Sequence, residues 1–157
     1  MDKPTSTPAG GDLNRLFIGF GKPRRFADHS IYLVNNTPVH YARVVALTGM
    51  FTSVDDGLLE SSKARGERGA LAPYSALLLE DGPFWELDYV IWYHLDLFPG
   101  DESQPPMRVW FDTPKGGPTG PDIVLPVLNQ RGHVIDLKVR PNEPPAQSPT
   151  STALPAP

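Results

Sequence analysis

The chain has 157 residues, 39% of them hydrophobic and 20% charged, which suits one ordinary globular core and argues against a wholly disordered polymer. Its net charge of −4 counts against a dedicated phosphate-backbone binder, which ordinarily carries a basic patch to displace counterions. Cysteine is absent, so disulfides, thiolate nucleophiles and cysteine-ligated zinc are excluded.

The opening MDKPTSTPAGGD (1–12) is rich in Pro, Thr and Gly and reads as a disordered tail. It lacks the basic start and apolar run of a secretory signal, and no later apolar segment is long and clean enough to span a bilayer, so a cytoplasmic protein is expected. LNRLFIGF (13–20) alternates, with Leu16, Ile18 and Phe20 on one side. GKPRR (21–25) is the densest basic cluster, and Arg24 and Arg25 are candidate rim contacts for a partner or for nucleic acid. SIYLVNN (30–36) is a β-branched strand that runs into the turn cluster Asn35-Asn36-Thr37-Pro38. VHYARVVALTGMF (39–51) resumes as a strand, with Val39, Tyr41, Val45 and Leu47 assigned to one face and Arg43 interrupting it.

VDDGLLESSKARGERG (54–69) opens on two aspartates that could cap a helix, and a short helix or a charged loop is expected there. YSALLLED (74–81) and MRVWFD (107–112) read as short strands, and DTPKGGPTGPD (112–122) as a long loop. IVLPVL and HVIDLKV flank NQRG as a hairpin, with Gly132 expected in the left-handed position. Pro126 cannot donate to a ladder and places its strand at an edge or bulge. From 141 onward PNEPPAQSPTSTALPAP carries six prolines and reads as a solvated, polyproline-like tail. The domain is therefore expected over 13–140.

The richest apolar stretch is FWELDYVIWYHLDLF (84–98). Its odd positions, Trp85, Leu87, Tyr89, Ile91, Tyr93, Leu95 and Leu97, are apolar or aromatic without exception. A helix would spread the carboxylates around its circumference, whereas a strand sorts them cleanly, so the odd face is core. The even face sets Val90 and Trp92 between acidic ends. Either residues 54–69 cover that pair, or it is an exposed aromatic patch for a partner.

Catalytic motifs are sparse. GFGKPRR lacks the spacing and hydroxyl residue of a P-loop, and no serine sits in a nucleophile elbow. His94 and Asp96 share one strand face and could serve a metal or an acid–base pair, with Asp28-His29 elsewhere. A metal-dependent β-sandwich enzyme would also need a second histidine at close spacing and a further carboxylate, which the sequence does not display. Sugar stacking on Trp85, Trp92 or Trp110 is a further possibility, weakened because Trp85 is assigned to the core.

The order IYLVNNTPVHYARVV, then GALAPYSALLLED, then a long aromatic strand is similar to immunoglobulin-like sandwiches. Over roughly residues 28–111 it resembles the β-rich domain of unknown function that precedes the Smr domain in some MutS-related bacterial proteins. VIDLKV (134–139) is similar to the strand that opens Smr domains, where Asp-Leu-His is usual; Lys138 here takes the histidine place. The resemblance implies an accessory domain without the nuclease, placing partners in a system of the DNA-repair type.

The expectation is thus an all-β, immunoglobulin-like sandwich of about seven to eight strands with disordered ends, no cofactor and no catalysis. Its expected role is a protein-interaction or scaffold module that binds another protein or, through an edge strand, itself, with Trp92, His94, Trp110, Arg24 and Arg25 as the candidate binding residues. An accessory nucleic-acid role and a metal-dependent enzyme are the alternatives.

Overall fold

The computed structural model describes residues 12–21, 29–54, 57–60, 63–82, 89–100 and 103–140. Residues 1–11 and 141–157 of the two expected tails, Arg24 and Arg25, and the first part of the aromatic stretch, with Trp85, lie outside the described residues. Eleven strands occur among those described: β1 (Leu16–Gly21), β2 (His29–Asn35), β3 (Tyr41–Val54), β4 (Gly57–Glu60), β5 (Ala64–Leu71), β6 (Ser75–Gly82), β7 (Val90–Phe98), β8 (Met107–Asp112), β9 (Ile123–Leu125), β10 (Gln130–Ile135) and β11 (Lys138–Val139). The described residues contain no helix. The architecture is all-β, an immunoglobulin-like sandwich of two antiparallel sheets. One sheet runs β6-β2-β1-β10-β9, and the other runs β11-β8-β7-β3-β4 with β5 also on β3.

Every-other-residue sorting builds the space between the sheets. In β7, Ile91, Tyr93, Leu95 and Leu97 are buried, while Val90, Trp92, His94, Asp96 and Phe98 are half-buried on the other face. Ile18, Phe20, Ile31 and Leu33 face them from the first sheet. Each fully buried aliphatic side chain contributes about 1.5–3 kcal/mol before conformational entropy is subtracted.

In four places the structure differs from what the sequence suggests. Residues 57–60 and 64–71, which overlap the segment 54–69 expected as helix or charged loop, are strands paired edge-on to β3. An edge strand with solvent on its flank tolerates glycine and charge, so its composition imitates a loop. In β3, Tyr41 faces the core but so do Val44 and Ala46, because register shifts between Tyr41 and Val45 change the parity. Leu47 therefore points outward, and Val39 precedes the strand, 44% exposed.

The expected 123–139 hairpin forms, but its left-handed residues are Val127 and Asn129. Gly132 lies within β10, where a Cβ would sit 2.6 Å from the Phe20 carbonyl oxygen. Finally, HVIDLKV is not one strand. The chain leaves the first sheet after Ile135 and joins the second at Lys138.

One open flank of the sandwich is closed by polar groups. The Tyr93 hydroxyl donates to Glu80 Oε1 at 2.7 Å, and Arg68 donates to the Leu79 carbonyl with its guanidinium 6.0 Å from the Tyr93 ring centre. Burial, reinforced by the Glu80 carboxylate, holds the Tyr93 phenol far above its ordinary pKa. At one end of the sandwich, buried Asn35 donates to the carbonyls of Val39 (2.8 Å) and Ala72 (3.0 Å) and so ties two turns together.

Candidate functional site, an aromatic and cationic sheet face

The outer face of the second sheet follows from its registers. One row crosses β11, β8, β7, β3 and β5 as Lys138, Trp110, His94, Leu47 and Arg65. The next row contains Arg108, Asp96, Val45 and Glu67. On the other side of the first row, Asp112, Trp92 and Gly49 are partners. At about 4.8 Å per strand, the first row spans roughly 19 Å between its end Cα atoms.

Trp92, His94 and Trp110, three of the five residues singled out from the sequence, form one cluster here. The Trp92 and His94 ring centres are 5.3 Å apart, and those of His94 and Trp110 are 6.5 Å apart. Gly49 seats the Trp92 indole: a Cβ there would lie 2.8 Å from a ring carbon. The described parts of 54–69 pair in the plane of the sheet rather than lying over this face. Trp92 is half-buried.

Cations rim the aromatics. The Lys138 ammonium lies 4.4 Å from the Trp110 ring centre, and the Arg43 guanidinium 4.7 Å from that of Phe98. Arg140 reaches back over the face, placing Nη2 2.6 Å from Asp96 Oδ1 and Nη1 3.3 Å from His94 Nδ1. Arg108 holds the same Asp96 carboxylate at 3.6 Å. Two guanidiniums on one carboxylate leave one positive charge in excess. Beside them Arg65, Asp96, Phe98, Gln104, Pro106 and Arg108 line a shallow, open hollow of about 400 Å³.

This chemistry suits recognition. The His94–Asp96 pair is engaged by Arg140, and among the described residues no group of three His, Asp or Glu side chains converges as metal ligands. Two features of the face were not visible in the sequence. Gly49 sits unmarked inside VHYARVVALTGMF, and Arg140 arrives from 44 residues beyond Asp96. The pairing of β11 with β8 brings Arg140 to Asp96.

The outer face of the first sheet is different. Phe17, Val34 and Leu125 are fully buried there, with Leu13, Tyr32, Leu128 and Val134 packed around them. The turn after β9 folds back so that Leu128 Cδ1 lies 3.1 Å from where a Cβ of Gly19 would be. Among the described residues, then, one sheet is apolar on both faces and the other on one.

No protein-family model, curated protein or solved structure matches the chain. No helix among the described residues is long and apolar enough to cross a membrane.

Proposed function

We propose that this domain is a non-catalytic protein-interaction module whose contact surface is the outer face of the second sheet. The observation that carries the reading is the half-buried Trp92–His94–Trp110 cluster, rimmed by Lys138, Arg140 and Arg108, on a sheet face over which the described residues place no further strand. Tryptophan and arginine are the residue types that dominate interface hot spots, and an aromatic centre inside a polar rim is the usual anatomy of such surfaces. The partner is another protein or a second copy of the chain, in a cytoplasmic setting.

Self-association, where it occurs, uses this face rather than the β5 and β9 edges. β5 presents Arg65, Glu67 and Arg68 along its edge, and β9 is three residues long and followed by Pro126. A charged edge and a proline-bounded one discourage the pairing of one copy's strand with the identical strand of another.

The test compares Trp92→Ser and Trp110→Ser with Val124→Ser, a substitution at an exposed site on the first sheet. Partner capture and concentration-dependent sedimentation should fall in the two tryptophan variants and persist in the valine variant, all three retaining the wild-type circular dichroism. Equal behaviour of the three would sink the proposal.

A further inference from the structure

We infer that the β11 edge accepts an added strand from the partner, and that this strand carries alternating acidic and apolar residues. The inference rests on the reading that this face receives a protein. It begins with backbone geometry. The Arg140 N–H donates to the Arg108 carbonyl at 2.9 Å, so Arg140 and Arg108 form a hydrogen-bonded pair of the antiparallel ladder. Such pairs alternate along a ladder. Lys138 and Trp110 are therefore also a hydrogen-bonded pair, whereas Val139 and Val109 are not. Val139 consequently turns its N–H and C=O away from β8, toward the open edge of the sheet.

The side chains define what could lie there. Val139 is 73% exposed, an apolar surface at the rim of the sandwich. Lys138 and Arg140 flank it and place their charges on the outer face, over Trp110 and against Asp96 respectively. Arg140 shares its carboxylate with Arg108, and among the described residues Lys138 lies over a ring rather than against a carboxylate. A strand added to β11 would set one residue beside Val139 and its two neighbours beside Lys138 and Arg140. Cross-strand pairs of opposite charge are favourable and like charges are not. The preferred segment is acidic, apolar, acidic, held by backbone hydrogen bonds to Val139 and read by side chains on both faces.

The β6 edge is a poorer host. The β6 pairing with β2 has a register shift, and the Leu79 carbonyl of β6 is taken by Arg68. With only three residues available at β11, charge pairing must supply most of the discrimination.

Fluorescence anisotropy at low salt, on the full chain, tests this with a labelled pentapeptide alternating Asp and Val. A permuted peptide of identical composition and an oligothymidylate of equal charge serve as comparisons. The alternating peptide should bind roughly tenfold more tightly than the permuted one. Val139→Pro removes the outward-facing donor while keeping an apolar side chain, so it should weaken binding about tenfold with an unchanged melting temperature. Lys138→Glu should weaken it further, and Lys138→Arg should restore it. Should Val139→Pro disturb the fold, slower exchange of the wild-type Val139 amide on adding peptide supplies the same answer, and its unaltered exchange contradicts the inference. Equal binding of the two peptides overturns strand addition, and so does tighter binding of the oligothymidylate. If the peptides fail while Trp92→Ser still abolishes capture, strand addition falls and the face stands. If Trp92→Ser leaves capture intact, the reading of the face itself fails.

Discussion

The two sheets treat their outer faces in opposite ways, although both begin from the same device. Each uses a glycine to let a large side chain lie down on the sheet: Leu128 rests at Gly19 on the first, and Trp92 at Gly49 on the second. On the first sheet the chain continues the job. Leu13, Tyr32 and Val134 join Leu128 and remove Phe17, Val34 and Leu125 from solvent. On the second, the aromatics stay half-buried and charged side chains gather at the rim. A face that is finished contributes to stability, and one left half-finished carries surface that a partner can remove from water.

That contrast can be broken by comparing substitutions. Phe17→Ala should lower stability by about 3–5 kcal/mol, as for other fully buried aromatics, measured by urea denaturation. Trp92→Ser, at a half-buried site, should lower it by only about 1–2 kcal/mol. A loss of about 3 kcal/mol or more would make Trp92 a core residue and remove it from the proposed contact surface.

Smaller at neutral pH is the effect of Tyr93→Phe, which probes the polar closure between the sheets. The folded-state pKa of Tyr93 lies above its ordinary value of 10.0, so its contribution is intact below pH 10 and is lost as the pH rises beyond. Stability should therefore fall above pH 10, and the fall should be shallower in Tyr93→Phe. An unchanged alkaline slope would place the loss elsewhere.

The core between the sheets was legible because it obeys a local rule. In residues 90–98, period-two sorting separates buried from half-buried side chains without exception, and Leu16, Ile18 and Phe20 face inward as their spacing suggests. Where the rule failed, a non-local cause was at work. The register shifts near Val44 switch the parity of β3, and nothing in ARVV announces them. β5 was hidden because a charged, glycine-bearing edge strand resembles a loop until its partner is known. Phe17 belongs to a second apolar cluster that exists only because a turn more than a hundred residues later folds over it.

The candidate site shows the same division. Trp92 and His94 share a strand face, and that was readable. Trp110 joins them through the β7–β8 register. The cationic rim depends on a change of sheet at Asp136–Leu137, which a continuous reading of HVIDLKV conceals.

Hydroxyl-radical footprinting with peptide-level mass spectrometry, run over a concentration series, addresses the contrast between the faces most directly. In dilute protein Trp92 and Trp110 should be oxidised readily while Phe17 stays protected, and the tryptophans should become protected as partner or protein concentration rises. Tryptophans as protected as Phe17 in dilute protein would show that the second sheet is also sealed, and would contradict the account.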